Sequence, residues 1–156
     1  MSAMDIRRIT EVGVAVRDLE AACALLVDLL GGEAGPVVEV PRYDMRYRMC
    51  RVGKVDFELM EPTAPKGVIH DFLERRGEGL HHVAFAVDDL AATMAELADK
   101  SVVWVDDEPV SQQMEVLDFA GRRFADGEIS FAFSHPRSIL GILFEFIQYP
   151  AGYQTP

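Results

Sequence analysis

Four acidic or imidazole side chains interrupt otherwise apolar segments of the chain: Glu11, Glu58, His82 and Glu145. Successive side chains of a β-strand point to opposite faces, so a polar residue within an apolar strand faces either water or a functional cavity. Carboxylate oxygen and imidazole nitrogen bind divalent ions such as Mn, Co, Ni, Zn or Mg, and imidazole shifts the preference toward transition metals. We therefore predict that the four side chains form one metal shell.

Each of these residues also has a simpler interpretation. Glu11, Glu58 and Glu145 are equally typical of solvated strand residues, and His82 is typical of a hydrogen-bonded core histidine. Their spacing favours the metal interpretation, because Glu11 and His82 are 71 residues apart (82 minus 11), which is the offset of an internal repeat. Strand alternation directs His81 away from His82, so we assign His81 a structural role.

The repeat is a strand followed by a helix. The segment Val-Gly-Val-Ala-Val-Arg-Asp-Leu at residues 12–19 recurs as Val-Ala-Phe-Ala-Val-Asp-Asp-Leu at residues 83–90. Asp18 in the first copy, and Asp88 or Asp89 in the second, has the side chain of a helix N-cap. The first helix carries an apolar stripe over residues 19–30 and ends at a Gly-Gly pair, and the second ends near residue 100.

Strand-like segments follow each helix. The first half contains strands at residues 37–40, 45–52 and 55–60, the last two joined by a tight hairpin at Gly53-Lys54. The second half contains strands at residues 102–105, 115–119, 129–133 and 141–147. A short helix is predicted between the halves, over residues 68–76.

This order of elements predicts an α+β fold. Two βαβββ modules would each form a curved mixed or mostly antiparallel sheet with its helix on one face, and the opposite faces would form a shared cup. We predict a single domain over residues 1–156, with repeat 1 at about 8–62, a connector at about 63–79 and repeat 2 at about 80–150.

The segment Gly-Leu-His-His-Val-Ala-Phe-Ala-Val-Asp-Asp-Leu at residues 79–90 resembles the vicinal oxygen chelate superfamily, in particular its methylmalonyl-CoA epimerase branch and the related glyoxalase I. The resemblance implies this glyoxalase fold closed around one divalent metal ion, with a glutamate that moves a proton. His82, Glu58 and Glu145 match the second histidine, the mid-chain Gln or Glu and the final glutamate of the family. Glu11 matches the first ligand position, where the family usually carries histidine. That change makes the site more anionic and harder, which favours Mg or Mn over Zn or Ni.

The function we predict is a metal-dependent isomerase, epimerase or lyase. It abstracts a proton next to a carbonyl of a small-molecule substrate, such as an acyl-CoA, a hydroxyacid or a ketone. Glu145 is the first choice for the catalytic base and Glu58 the second. The resemblance aligns Tyr47 with a catalytic glutamate of epimerases. A phenol with an ordinary pKa of about 10 is a poor base, so we assign Tyr47 to substrate binding.

Five arginines could bind the phosphates of a CoA substrate, or they could be solvated surface charges. They are Arg75, Arg76, Arg122, Arg123 and Arg137.

Two other functions remain open. A metal-free protein could sequester a small aromatic or polyketide-like molecule in the same cup. An oxygenase of this superfamily usually needs two histidines and one carboxylate, and Glu11 leaves that set incomplete. The Gly- and Asp-containing segment at residues 109–129 is interpreted either as a lid over the site or as a surface insertion.

Composition limits the partners. The net charge of −11 and pI near 4.7 argue against nucleic-acid binding, which depends on clustered Lys and Arg. No apolar run approaches the length of a membrane span, which is about 20 residues. Cys23 and Cys50 lie in apolar segments and are predicted to be reduced core thiols, consistent with a cytoplasmic protein. The resemblance also implies a homodimer.

Overall fold

The computed structural model of the chain describes residues 6–117 and 123–151, which contain eight strands and three helices. The strands are β1 (Ile6–Ala15), β2 (Glu33–Val40), β3 (Met45–Val52), β4 (Val55–Pro62), β5 (Gly79–Val87), β6 (Val110–Leu117), β7 (Arg123–Ser134) and β8 (Phe144–Gln148). The helices are α1 (Leu19–Leu30), α2 (Val68–Arg76) and α3 (Leu90–Asp99), and short 3₁₀ turns lie at Pro41–Tyr43 and Pro136–Ser138. This order confirms the α+β fold class with two βαβββ modules.

The chain divides into two compact units. The N-terminal unit contains residues 11–81, and the C-terminal unit contains residues 6–10, 82–116 and those from 123 onward. Strand order is β2-β3-β4-β1 in the first and β5-β8-β7-β6 in the second. In each unit the first strand runs parallel to the last, β1 to β4 and β5 to β8, whereas the hairpins β3–β4 and β7–β8 are antiparallel. The two units therefore repeat one plan.

Side-chain caps start the two long helices where the sequence predicts. Asp18 accepts a hydrogen bond from the Ala21 N–H at 2.9 Å, and Asp89 accepts one from the Ala92 N–H at 2.9 Å. The structure thus selects Asp89 over Asp88 as the second N-cap. Gly31 ends α1 in the left-handed region at φ 64°, a conformation that glycine adopts without steric cost.

Helices cover the sheet of the N-terminal unit on both faces. On one face, α1 packs onto a cluster of Val16, Leu19, Cys23, Cys50 and Leu59, in which both thiols are buried and free. On the other face, α2 packs onto strands β1 and β4 through Ala15, Met60, Ile69 and Leu73. The prediction of reduced core cysteines is confirmed.

The C-terminal unit contains α3 as its one described helix. A cluster of Val87, Leu90, Met94, Ala132 and Phe146 joins α3 to one face of the strands. The opposite face carries a second apolar cluster of Ala84, Ile129 and Ile147. The side chains of His82 and Glu145, discussed below, lie on that second face.

Two predictions about individual segments were wrong. Leu29 and Leu30, in the last turn of α1, are exposed and do not extend its packed stripe. Residues 102–105 do not form a strand; the segment has only an isolated bridge, between Trp104 and Ser134. Its indole N–H donates to the Met94 carbonyl at 3.2 Å, which fastens this segment to α3.

Residues 109–129 are mostly strand and not a loop, and the choice between a lid and a surface insertion stays a prediction. β6 and β7 occupy this segment except for residues 118–122, which lie outside the described residues. Gly127 lies within β7 at φ 145°. A Cβ atom there would come within 3.0 Å of the Pro150 side chain, so this glycine permits a close approach in a strand.

Candidate metal centre

His82 and Glu145 form a buried pair in the C-terminal unit. The register partner of Glu145 on β5 is Ala84, and His82 lies two residues before Ala84 on the same strand face. His82 Nε2 is 3.1 Å from Glu145 Oε2, with 3% and 7% of the two residues exposed. An imidazole and a carboxylate at this distance can bind a common cation.

Glu11 and Glu58 have the same relationship in the N-terminal unit. The register partner of Glu58 on β1 is Gly13, and Glu11 lies two residues before Gly13. Carboxylate oxygens of the two residues lie within 4.8 Å of each other, and Glu58 is 9% exposed. Each unit therefore places one ligand-type residue of its first strand diagonally opposite a glutamate of its last strand.

Aromatic rings surround the pair in the C-terminal unit. Phe133 lies directly opposite Glu145 in the β7–β8 register, and its ring meets the His82 ring edge-on at 5.6 Å between centroids. Phe131, two residues away on the same face, is 6.0 Å from Phe133. The sequence interpretation overlooked these rings as site residues, although the alternation Phe-Ala-Phe in an apolar strand indicates that both face one side.

The corresponding face of the N-terminal unit is lined by Met49 and Tyr47 on β3. Met49 is the register partner of Glu58, and Tyr47 is the register partner of Met60. Tyr47 therefore lies on the same face as Glu58, opposite the residue two positions after Glu58 on β4. Its ring packs against the cluster that contains Ile69 and Leu73. Its assignment to substrate binding stays a prediction.

A charged pair, Arg51 and Asp56, lies on this same face. Arg51 Nε is 2.8 Å from Asp56 Oδ1 and Arg51 Nη2 is 3.2 Å from Asp56 Oδ2, a bidentate contact. The two residues are register partners across the β3–β4 hairpin. The sequence interpretation did not use them, but the hairpin centred on Gly53-Lys54 already places residues 51 and 56 opposite each other.

His81 points away from His82, as predicted. Its ring meets Phe72 of α2 edge-on at 5.0 Å between centroids, within the N-terminal unit. Among the arginines proposed for CoA phosphates, Arg75 and Arg76 belong to the exposed surface of α2. Arg122 and the side chain of Arg123 lie outside the described residues.

The donor atoms of each pair fit a divalent cation. Each of the four residues offers one ligand atom, a carboxylate oxygen from Glu11, Glu58 and Glu145 and a ring nitrogen from His82. Buried carboxylates are costly unless they are paired or bind a cation. Oxygen donors suit Mg and Mn, and one imidazole extends the range to Co, Ni and Zn.

Within the described part of the chain, none of the helices has the length and apolar character that a membrane crossing requires.

Known proteins are similar to this chain over most of its length. The uncharacterised protein YqjC of Bacillus subtilis is 30% identical over 149 residues, which are 96% of this chain and 96% of that protein. Human mitochondrial methylmalonyl-CoA epimerase is 26% identical over 148 residues, 94% of this chain and 77% of the human protein. A solved structure of methylmalonyl-CoA epimerase in complex with methylmalonyl-CoA and NH4+ superposes with a TM-score of 0.78 at 26% identity, covering 97% of this chain and 100% of that one.

The family assignment rests on a profile match that spans most of the chain. Residues 10–129 match the family described as the Glyoxalase/Bleomycin resistance protein/Dioxygenase superfamily. This segment includes Glu11, Glu58 and His82, and the strands and helices around them have the predicted order. The chain belongs to the Glyoxalase/Bleomycin resistance protein/Dioxygenase superfamily.

Proposed function

We propose that the protein is a divalent-metal-dependent epimerase or isomerase that removes the proton next to the carbonyl of an acyl-CoA thioester. The repeated diagonal placement of His82 with Glu145, and of Glu11 with Glu58, is the observation that carries this proposal. Relatives named as methylmalonyl-CoA epimerases support the thioester class. A lyase that begins with the same proton abstraction would use the same residues.

We assign Glu11, Glu58, His82 and Glu145 as the ligands of one ion. A divalent cation bound there would stabilise the negative charge that develops on the substrate carbonyl oxygen as the proton leaves. Three carboxylates and one imidazole make a hard, anionic donor set. We therefore propose Mg or Mn as the resident ion, because carboxylate oxygens suit these ions, although raw affinity at such a site rises from Mn to Ni.

Glu145 is the proposed general base. Its carboxylate lies beside an imidazole and opposite the Phe133 ring, in a position shielded from bulk water. Removal of water strengthens the electrostatic interactions of a catalytic carboxylate. Epimerisation returns the proton to the other face of a planar carbon, and Glu58 is our candidate for that second group. Tyr47, on the same face as Glu58, would contact the substrate.

We also propose a cytoplasmic homodimer. Exposed apolar side chains on α1 and β2 would be buried by a second copy of the chain: Leu25, Leu29, Leu30 and Val37. Two free buried thiols fit a reducing compartment. Light scattering coupled to size exclusion measures the mass directly, and a monomer at micromolar concentration would contradict the dimer.

The test combines metal analysis with isotope exchange. Freshly purified protein is analysed for bound metal and, after chelator treatment and reloading, is incubated with methylmalonyl-CoA in D2O while mass spectrometry follows deuterium at the α-carbon. We expect metal-dependent exchange in the wild type and its loss in Glu145→Gln. Glu128→Gln, an exposed change on β7, is the control.

A folded wild type that binds no divalent cation would overturn the proposal. Folded, metal-free protein that binds an aromatic small molecule without exchange would favour the sequestration function.

A further inference from the structure

Arg51, Asp56 and Glu11 form one row of charge across three neighbouring strands. Arg51 is the register partner of Asp56 between β3 and β4, and Asp56 is the register partner of Glu11 between β4 and β1. The side chains of Arg51 and Asp56 are 24% and 16% exposed, respectively. Their bidentate contact fixes the orientation of the guanidinium, as expected for an arginine–carboxylate pair.

The row brings like charges together. Asp56 and Glu11 are directly opposite on neighbouring strands, an arrangement that destabilises a sheet when both carboxylates are ionised. Glu58 adds a third carboxylate on this face, because it lies two residues from Asp56 on the same strand. The Arg51 charge offsets part of this repulsion, since charges interact more strongly at partly buried positions than in water.

The C-terminal unit shows that the row is not a general feature of the repeat. His82 occupies the position that corresponds to Glu11, and Leu143 precedes Glu145 by two residues, as Asp56 precedes Glu58. The Leu143 carbonyl accepts a hydrogen bond from the Val83 N–H at 3.2 Å, which places Leu143 beside this part of β5. In the C-terminal unit, His82 therefore has the apolar Leu143 at the neighbouring position. In the N-terminal unit, Glu11 has Asp56 there, and Asp56 is paired with Arg51.

We propose that Arg51 is a positioning residue that acts through Asp56 as the counter-charge of Glu11. It stabilises the carboxylate face when no cation is bound and weakens the binding of a divalent cation to that face. This inference rests on the proposed function, because it treats Glu11 as a cation ligand.

The first experiment is a double-mutant cycle in metal-free protein. Thermal unfolding is measured for wild type, Arg51→Met, Glu11→Gln and the double variant. We expect Arg51→Met to lower Tm and Glu11→Gln to restore part of that loss, because it removes the repulsion that Arg51 offsets. Additive effects of the two changes would overturn the counter-charge role.

A second arginine provides the matched control. Arg46 Nε is 2.6 Å from Glu61 Oε2, an ion pair between the same two strands on the opposite face of the sheet. Arg46→Met removes an arginine from an equivalent cross-strand pair. We expect its effect on Tm to add to that of Glu11→Gln, and coupling of equal size in both cycles would overturn the proposal.

The second experiment is a Mn²⁺ titration followed by the electron paramagnetic resonance of free Mn²⁺. We expect Arg51→Met to bind Mn²⁺ about tenfold more tightly than wild type, because the bound cation no longer faces a nearby positive charge. Arg51→Lys, which keeps the charge, and Arg46→Met should both bind as wild type does. Unchanged affinity in Arg51→Met would overturn the effect on cation binding.

The two experiments separate the inference from the proposed function. If the wild type binds no divalent cation, the proposed function fails, and the metal-free cycle alone decides whether Arg51 is the counter-charge of Glu11.

Discussion

His82 Nε2 lies 3.1 Å from Glu145 Oε2, and the two residues are on neighbouring parallel strands with both side chains buried. The same diagonal placement relates Glu11 to Glu58 in the other unit. In both units the first strand runs parallel to the last strand. A residue of the first strand that lies two positions before the register partner of the glutamate is then diagonally opposite that glutamate on the same face. Because both residues are buried and in contact, substitutions in this pair should affect the stability of the protein.

Removal of the imidazole should destabilise the metal-free protein. We expect His82→Ala to lower the free energy of unfolding by about 3 kcal/mol, because it leaves a cavity where a buried ring packs against Phe133 and the Glu145 carboxylate. Urea denaturation measures the change. The control, His70→Ala at a half-buried position of α2, should change stability much less, by under about 1 kcal/mol. A loss below about 1 kcal/mol in His82→Ala would contradict the assignment of a strong buried contact.

The carboxylates and Tyr47 should differ in their kinetic effects. We expect Glu145→Gln to lower kcat for α-proton exchange by about a thousandfold, as loss of a general base does. Tyr47→Phe should raise KM with little change in kcat, because it removes a substrate contact and not a proton acceptor. Steady-state deuterium exchange separates the two constants. A kcat loss in Tyr47→Phe as large as in Glu145→Gln would show that the phenol takes part in proton transfer.

Gly32 should be intolerant of a side chain because of Cys50. A Cβ atom on Gly32 would lie 2.6 Å from the Cys50 Sγ, so Gly32→Ala forces the buried thiol to move. We expect a loss of about 1–3 kcal/mol in the free energy of unfolding. The double variant Gly32→Ala, Cys50→Ala should recover part of that loss. Equal stability of the single and double variants would exclude this contact as the cause.

The Cys50 thiol should make stability fall at alkaline pH. Burial, and then the neighbouring Cys23, raise the pKa of Cys50 from 9.0 to about 11. The unfolded chain ionises this thiol first, so its contribution is complete below pH 9 and is lost as pH rises toward 11. We expect a loss of up to about 2 kcal/mol over that range. Denaturation curves should show a shallower pH dependence in Cys50→Ala, and identical slopes would contradict the prediction.

Local sequence patterns predicted much of the fold. The apolar period after Asp18, and the glycines that follow it, placed α1 at its observed bounds, and residues 45–52 form β3 as predicted. These features depend on neighbours close in the chain, namely caps, hairpin turns and strand alternation. Residues 102–105 were misassigned because their side chains suit a strand, whereas Trp104 is bound to α3 by a contact that no local pattern reveals.

The sequence by itself determined the two βαβββ modules and indicated four candidate site residues. Periodicity, the 71-residue offset between Glu11 and His82, and the matching final strands that carry Glu58 and Glu145 are properties of the chain alone. Only the tertiary structure decided which residues become cross-strand neighbours of that site. Phe133 lies opposite Glu145, and Asp56 lies beside Glu11, because strand register joins positions on separate strands. Register is set by the packing of whole strands, so a single sequence does not specify it residue by residue.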